Sequence, residues 1–344
     1  MVDSLTPNDP RVEHKFKDVD GHTYHYMLAK PEGKPVATIF LIHGWPDLGM
    51  GWRFQVPFLL SLNLQVVVPD MLGYGQTSAP DSPEEYSMKK MNAHMAEIIK
   101  SVTDQPIILG GHDWGGIFVW RMAQSYPELI HSVFSICVPY APPSPVKFTL
   151  EQLVERLPNF KYQLQLASGT AEEIVAKKPE RLRAFINGMY GGTTPSGDRV
   201  FSTDNGVEES NIDSIGQSPL IAEEMIDFYV QEYSRHLPVA LHGPCNWYRT
   251  RDINAIDEME MAKPGNDGAT FKFPMPAMLL MAEKDAALPV HMARGQEQYF
   301  AGGLKQGLIK DSSHWAMVQK PAEVNRFIGE FVKEVLGDEV KAAL

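Results

Sequence analysis

Apolar runs that alternate with amphipathic stretches form the main pattern of this chain. Continuous apolar runs predict strands that are buried on both faces, and apolar residues at helical spacing, as in residues 88–102, predict helices with one buried face. The predicted strands are residues 22–28, 37–42, 64–68, 106–110, 133–138, 277–281 and 307–310. This alternation predicts an α/β fold with a mostly parallel sheet and right-handed crossovers.

The alternation breaks at residues 139–145, where four of the seven residues are proline. From there to about residue 273 the pattern predicts helices and a long polar loop. The helices are predicted at residues 148–157, 171–189 and 222–234, and the loop at residues 191–217. We therefore predict a sheet core formed by residues 1–140 and 274–344, with an inserted helical cap at residues 141–273.

Composition and charge exclude several classes of partner. The chain has 344 residues, 44% of them hydrophobic, and a formal net charge of −12, which disfavours binding to nucleic acid or to an anionic membrane. Its apolar runs are shorter than the roughly 18 residues of a membrane span. Cys137 and Cys245 form no disulfide framework or metal-ligand pattern and suit a reducing compartment. We expect a cytoplasmic protein without membrane insertion.

A glycine-rich turn links the predicted strand at residues 106–110 to an apolar helix that begins near Ile117. The pattern Gly111-x-Asp113-x-Gly115 has the spacing of a nucleophile elbow, in which small residues let strand and helix pack closely while the central side chain is held out. The central residue is Asp113, where the commoner motif has Ser. An Asp that caps a helix after a strand would give a similar pattern, so other residues must decide.

Two more polar residues follow predicted strands at the same edge of the sheet. Asp285 comes after residues 277–281, and His314 after residues 307–310. The carboxyl ends of parallel strands are where open α/β sheets bind ligands. In chain order, Asp113, Asp285 and His314 fit a nucleophile, an acid that orients the base, and the base. We predict that these residues form a catalytic triad.

An Asp nucleophile determines the chemistry that this triad could perform. A carboxylate attacks an alkyl carbon and forms an alkyl-enzyme ester, which water must then hydrolyse. His314 would deprotonate that water, and Asp285 would hold the imidazole in the required tautomer. The oxyanion formed on Asp113 needs hydrogen-bond donors, and the backbone N–H groups of Trp45 and Trp114 occupy the positions expected to supply them.

Four short motifs, together with the match from about residue 15 to the C-terminus, resemble the soluble epoxide hydrolases. The motifs are His43-Gly-Trp-Pro46, Gly111-His-Asp-Trp-Gly-Gly116, Phe160-Lys-Tyr-Gln163 and Asn246-Trp-Tyr-Arg249. The resemblance implies the α/β-hydrolase fold, with a twisted, mostly parallel sheet, helices on both faces and an inserted helical cap. It also implies that Tyr162 and Tyr248 donate hydrogen bonds to the epoxide oxygen, and that the peptide bond before Pro46 is cis. A tyrosine that only packs in the cap is the alternative for either residue.

The same resemblance implies a small apolar epoxide and water as substrates, with Trp45, Trp114 and Trp315 as substrate-binding residues. Neither a glycine-rich phosphate loop nor a metal-ligand cluster is present in the sequence, so we expect no cofactor and no metal. His112 is next to the nucleophile, but alternation along a strand directs its side chain away from that of Asp113, so we interpret it as structural.

Two other functions remain open at this point. A haloalkane or haloacid dehalogenase would share the fold, the Asp nucleophile and the His, but its halide leaves without a proton and needs halide-binding donors. The two cap tyrosines favour an epoxide. A ligand receptor of the same fold would be a binding protein without turnover, and the intact set of Asp113, Asp285 and His314 argues against it. The sequence leaves the oligomeric state open.

Overall fold

A computed structural model describes residues 2–263, 265–266, 268 and 270–337. An eight-stranded sheet runs through the core in the order β1-β2-β4-β3-β5-β6-β9-β10, and β7 pairs with β8 in a separate small hairpin. The strands are β1 (Val12–Val19), β2 (His22–Ala29), β3 (Ala37–Ile42), β4 (Leu64–Pro69), β5 (Ile107–His112), β6 (Ile130–Ile136), β7 (Phe201–Ser202), β8 (Gly206–Val207), β9 (Ala277–Ala282) and β10 (Leu304–Ile309).

Along the sheet, every pair of neighbouring strands from β4 to β10 is parallel. The pairs β1–β2 and β2–β4 are antiparallel. This confirms the predicted, mostly parallel α/β sheet. The sequence did not predict β1, because its residues (VEHKFKDV) are mostly polar and it lies at the edge of the sheet. The last strand also begins earlier than predicted, at Leu304 instead of residue 307.

Helices occupy most of the chain between the strands. They are α1 (Gln55–Ser61), α2 (Met88–Val102), α3 (Trp114–Ser125), α4 (Leu150–Arg156), α5 (Tyr162–Ser168), α6 (Thr170–Ala176), α7 (Glu180–Met189), α8 (Glu209–Ile212), α9 (Glu223–Tyr233), α10 (His242–Arg249), α11 (Arg251–Met261), α12 (Ala316–Gln319) and α13 (Pro321–Leu336). Helix α3 packs on β5 and β6, α1 on β4, and α13 on β10 and α1. In α2, the predicted apolar face is buried through Met91, Met95 and Ile98. These contacts hold the sheet in place, and the candidate site lies at its carboxyl edge.

Helices α4 to α11 and the small hairpin lie between β6 and β9, and we refer to this part of the chain as the helical insertion. The single helix predicted for residues 171–189 was wrong, because the chain forms α6 and α7 with Pro179 directly before the second helix. Helices α10 and α11 were not predicted. The boundaries of the cap at residues 141 and 273 stay a prediction.

Buried polar contacts fasten the insertion to the sheet core. The Asp47 carboxylate accepts hydrogen bonds from the hydroxyls of Tyr190 (2.7 Å) and Tyr229. Tyr190 directly follows α7, and Tyr229 lies in α9. The Trp315 indole N–H donates to the carbonyl of Met189 at 2.6 Å, and its ring stacks on Tyr190 with centroids 4.2 Å apart. The insertion is therefore held against two loops at the carboxyl edge of the sheet.

Within the described part of the chain, every helix is too short or too polar to cross a lipid bilayer. Cys137 and Cys245 are both buried and free, in agreement with the expectation that they form no disulfide framework. The cytoplasmic location expected from the sequence stays a prediction.

Candidate active site

The turn between β5 and α3 places the Asp113 side chain at the carboxyl edge of the sheet. Asp113 has φ 54° and ψ −124°, a strained backbone conformation, and its side chain does not cap α3. A Cβ atom added at Gly111 would collide with the carbonyl oxygen of Gly115, and one added at Gly115 would collide with that of Ile42. This close approach and the positive φ match a nucleophile elbow and not an ordinary helix cap, which has an extended backbone.

His314 lies between two carboxylates, as the predicted triad requires. Its Nδ1 is 2.7 Å from Oδ2 of Asp285, and its Nε2 is 3.6 Å from Oδ2 of Asp113. The other oxygen of Asp285 accepts hydrogen bonds from the backbone N–H groups of Ala287 (2.9 Å) and Leu288 (3.0 Å). The Asp285 carboxylate is thus fixed on both sides, and it fixes the imidazole in turn.

The buried charges shift the ionisation of all three groups. Burial alone would lower the pKa of His314, but the charges of Asp285 and Asp113 and the hydrogen bond to Asp285 raise it to about 9. Burial alone would raise the pKa of Asp285, but His314 and the two backbone amides lower it to about 2. Burial raises the pKa of Asp113, and His314 with the amides of Trp114 and Trp45 opposes that rise. The three side chains form one coupled electrostatic unit.

Both predicted oxyanion donors lie at the Asp113 carboxyl group. The Trp45 backbone N–H donates to Oδ1 of Asp113 at 2.8 Å, and the Trp114 amide also stabilises the carboxylate by a hydrogen bond. The Trp45–Pro46 peptide bond is cis, as the resemblance to epoxide hydrolases implied. In a tetrahedral adduct on this carboxyl carbon, the same two amides would face the developing negative charge.

Tyr162 and Tyr248 approach from the insertion, from the first residue of α5 and from α10. Their ring centroids are 6.0 Å apart, and the Tyr248 ring lies 5.5 Å from that of Trp45 and 5.2 Å from that of Trp114. Burial, and to a lesser extent the Asp113 charge, raises the pKa of both phenols well above 10. Both hydroxyls therefore carry their proton at neutral pH and can act as hydrogen-bond donors.

A cavity of about 440 Å³ connects the nucleophile and the two tyrosines. Its lining includes Asp113, Trp114, Tyr162 and Tyr248, and many apolar side chains besides. Such a volume, mostly apolar with a few converging polar groups, is typical of a small-molecule site.

The three tryptophans predicted to bind substrate occupy different places. Trp114 lines the cavity. The ring of Trp45 packs on Tyr248, and Trp315 is held by the carbonyl of Met189 and by the stacked Tyr190 ring. Neither Trp45 nor Trp315 is among the described residues that line the cavity. Contact of Trp45 and Trp315 with substrate stays a prediction.

His112 contacts His314, the predicted base, and the sequence did not reveal this contact. Its Nε2 is 2.9 Å from the carbonyl oxygen of His314, and the two imidazole centroids are 4.7 Å apart. Burial, with a smaller effect of the His314 charge, lowers the pKa of His112 to about 3, so the ring is neutral and its Nε2–H donates to that carbonyl. The structural interpretation agrees with this contact. The alternation that turns His112 away from Asp113 is also what turns it towards His314.

His112, Cys137 and His314 also form the kind of cluster that can hold a metal, with ligating atoms within 4.8 Å of one another. Two of the possible ligand atoms have other contacts, since Nδ1 of His314 bonds to Asp285 and Nε2 of His112 to the His314 carbonyl, whereas Nδ1 of His112 is buried without a hydrogen-bond partner. Burial raises the pKa of the Cys137 thiol well above its ordinary value, which disfavours the thiolate that a metal requires. The expectation of no metal stays a prediction.

Comparison with known proteins identifies the family. The family profile described as alpha/beta hydrolase fold matches residues 37–321. The chain is 48% identical to "Epoxide hydrolase srdG" of Neurospora crassa, over 97% of this chain and 99% of that protein. The chain belongs to the epoxide hydrolases of the α/β-hydrolase fold. This family assignment agrees with the resemblance noted in the four motifs.

More distant epoxide hydrolases agree in sequence or in fold. "Bifunctional epoxide hydrolase 2" of Sus scrofa is 33% identical over 92% of this chain, which spans about half (56%) of the length of that protein. The crystal structure of an epoxide hydrolase from Vigna radiata superimposes with a TM-score of 0.80 at 21% identity, covering 94% of this chain and 98% of the other. At 21% identity, this structural similarity supports the fold alone.

We predict that His112→Leu slows turnover, because it removes the donor that fixes the peptide of His314. The buried carbonyl would lose its partner, at a cost of about 1–3 kcal/mol in the free energy of unfolding, and a displaced base should lower kcat by about 10- to 100-fold. Denaturant unfolding and steady-state kinetics on a styrene-type epoxide measure the two effects. His131→Leu, at an exposed position, is the control, and an unchanged kcat in His112→Leu would contradict the supporting role.

Proposed function

We propose that this epoxide hydrolase converts an epoxide and water to a vicinal diol through an alkyl-enzyme ester on Asp113. The observation that carries the proposal is the placement of Asp113. One of its oxygens is bonded to the Trp45 amide, and the other faces His314. Two buried tyrosines line the same cavity as this carboxylate. A carboxylate with an imidazole beside it and two phenols thus adjoin one mostly apolar space, which supports the roles of nucleophile, base and proton donors.

In the first step, an Asp113 oxygen attacks an epoxide carbon, a C–O ester bond forms and the ring C–O bond breaks. The ring oxygen leaves as an alkoxide, which is a poor leaving group near neutral pH unless it receives a proton or a strong hydrogen bond. Tyr162 and Tyr248 can supply it, since burial keeps both phenols protonated. Their position in the lining of the cavity that also contains Asp113 supports this role.

In the second step, His314 takes a proton from water, and the hydroxide attacks the carboxyl carbon of the ester. Before the first step, the charges of Asp113 and Asp285 together keep the imidazole protonated. Alkylation neutralises Asp113, so the pKa of His314 falls. The imidazolium then loses its proton, which replaces the one that a tyrosine gave to the ring oxygen, and the ring becomes available as a base. Asp285 keeps its charge and stabilises the imidazolium that forms again when water is deprotonated. The Trp45 and Trp114 amides stabilise the tetrahedral oxyanion until the ester bond breaks. The departing diol oxygen takes the proton of the added hydroxyl, so Asp113 returns as a carboxylate.

The same Asp, His and Asp could serve a dehalogenase, but the insertion favours the epoxide. Halide departs as a stable anion and needs no proton, whereas two neutral phenols suit an oxygen that must gain one. A small, apolar epoxide fits the mostly apolar lining of the cavity. The names of the relatives point to the same substrate class.

We predict that His314→Gln allows the ester to form and then stops the reaction, because the first step needs no base. Incubation with a styrene-type epoxide should give a stable mass increase of one substrate on the peptide that carries Asp113, measured by mass spectrometry. The wild-type protein should show little adduct at steady state. Bound substrate without any adduct in the variant would contradict the covalent step and favour direct attack by water.

We predict that the double variant Tyr162→Phe, Tyr248→Phe loses most of the alkylation rate and keeps its fold. Each single variant should lower the rate about 10- to 1,000-fold, as the loss of one preorganised donor does. Tyr140→Phe is the matched control, because Tyr140 lines the same cavity but its hydroxyl donates to Gln124. Rapid mixing with a styrene-type epoxide measures the rate. If the double variant reacts like the wild type, the tyrosines only pack.

We predict that Asp113→Asn lowers the pKa of His314 from about 9 in the free enzyme. The substitution removes one of the two anions that favour the imidazolium, so less of the ring stays protonated at a given pH. NMR titration of the histidine rings measures the change. Asp104→Asn, at an exposed position, should leave the value unchanged. If Asp113→Asn also leaves it unchanged, alkylation does not release the base in the way proposed here.

A further inference from the structure

Arg249 directly follows Tyr248 in α10 and connects the two helices that carry the cap tyrosines. Its Nε donates a hydrogen bond to the carbonyl oxygen of Ala167 at 3.0 Å. Ala167 lies near the carboxyl end of α5, the helix that begins at Tyr162. The side chain next to one proposed proton donor thus binds the backbone of the helix that carries the other.

The other two nitrogens of this guanidinium also have partners. Nη2 donates to the Glu172 carboxylate in α6, and Nη1 donates to Oδ1 of Asn246 at 2.8 Å. Glu172 is 8% exposed, and the Arg249 side chain is 18% exposed. A largely buried ion pair in which all three nitrogens are bound holds one geometry more firmly than an exposed pair does. Arg249 therefore joins α5, α6 and α10 at one point.

Asn246 and Trp247 attach the same helix to the sheet core. Nδ2 of Asn246 donates to the carbonyl oxygen of Asp81 at 3.1 Å, and the Trp247 indole N–H donates to that of Leu72 at 3.0 Å. Both carbonyl groups belong to the segment between β4 and α2. Helix α10 is thus bound to the core on one side and, through Arg249, to α5 and α6 on another.

Arg249 lies outside the reacting centre. Successive side chains on a helix point about 100° apart, so Tyr248 and Arg249 face different sides of α10. Tyr248 lines the cavity, whereas neither Arg249 nor Ala167 is among the described residues of the lining. Any effect of Arg249 on the reaction must therefore pass through the helices that it joins.

The spacing of these helices matters because two donors must reach one oxygen. A preorganised donor is effective only when it lies where charge develops, and a displacement of about 1 Å can lower a rate about 100-fold. Tyr162 and Tyr248 come from separate helices, with ring centroids 6.0 Å apart. A contact that fixes α5 against α10 therefore fixes the two hydroxyls relative to each other.

We propose that Arg249 is a positioning residue for ring opening, and that it sets the placement of the Tyr162 and Tyr248 hydroxyls by holding α5 against α10. The inference rests on the proposed function, because it requires both phenols to act on the ring oxygen. Glu172 orients the guanidinium from α6, and Asn246 orients it from within α10. Arg249 itself touches neither the substrate nor the nucleophile.

The test is a single turnover with enzyme in excess over a styrene-type epoxide, because the loss of epoxide then reports the alkylation step. Arg249→Gln should lower the maximal rate of this step about 10- to 100-fold. The enzyme concentration at half-saturation should stay nearly unchanged, since the cavity lining is intact. Arg249→Lys keeps the charge beside Glu172 but loses the fork, so it should retain part of the rate.

The deciding comparison repeats Arg249→Gln in the double variant Tyr162→Phe, Tyr248→Phe. If Arg249 acts through the phenols, its loss should change the remaining rate very little once both hydroxyls are absent. Such non-additivity is expected of residues that act together. A residue that only stabilises the insertion would lower the rate by the same factor in both proteins.

Arg181→Gln is the matched control. Arg181 is a buried arginine of α7 that also binds a helix carbonyl, that of Ile174 at 3.0 Å, and two carboxylates, those of Asp213 and Glu209. It joins α7 to α6 and to the region of α8, and neither tyrosine lies in these helices. Arg181→Gln should lower the melting temperature and leave the alkylation rate unchanged. Circular dichroism checks each fold, and Arg249→Lys in the same two backgrounds decides the question if Arg249→Gln does not fold.

Three results would overturn the inference. They are an unchanged alkylation rate in Arg249→Gln, an equal loss with and without the two phenols, and an equal loss in Arg181→Gln. Each of them leaves the proposed function intact, because the wild-type protein still opens the epoxide at Asp113. Failure of the proposed function looks different, because the wild-type protein would then form diol without an ester on Asp113, or the double Phe variant would react like the wild type. The inference would fall with it.

Discussion

The close approach of β3, β5 and α3 around Asp113 is the constraint on which the site depends. The turn works only because Gly111 and Gly115 leave no side chain where backbone carbonyls pass. The positive φ of Asp113 costs about 1–3 kcal/mol, which the buried packing of α3 on β5 and β6 offsets. In return, the carboxylate meets the Trp45 amide at the end of the neighbouring strand. If the turn relaxed, the Asp113 carboxylate would move away from the Trp45 amide.

The ionisation of Asp113, Asp285 and His314 follows from that geometry. Once Asp113 and Asp285 are both buried against His314, the imidazolium is the form that neutralises them, and its pKa rises to about 9. In the proposed mechanism, His314 in its protonated form cannot act as a base until one of the two anions is neutralised. Ester formation at Asp113 would neutralise that anion, so the first reaction would prepare the second. The proposed timing would need a change in charge and no movement of the chain.

The sequence predicted the parts of the protein that local patterns encode. The elbow and Asp285 follow the buried strands β5 and β9, and His314 follows the partly buried strand β10. Because these strands are parallel, their carboxyl ends lie at one edge of the sheet. Edge strand β1 was missed because its polar residues lack an apolar run. Helix α10 was missed because Gly243 and Pro244 near its start are poor helix formers, and burial of its later residues overrides them. Contacts such as His112 with His314 join distant residues, so no local pattern reports them.

The sheet and the insertion contribute different residues to the candidate site. The sheet edge supplies Asp113 and the base, held by buried strands. The insertion supplies Tyr162 from α5 and Tyr248 from α10. Because Asp47 and Trp315 fasten the insertion to loops beside Trp45 and His314, the donors keep their register with the nucleophile. Under the proposed mechanism, changes elsewhere in the insertion would alter which epoxide is bound without changing how its ring is opened.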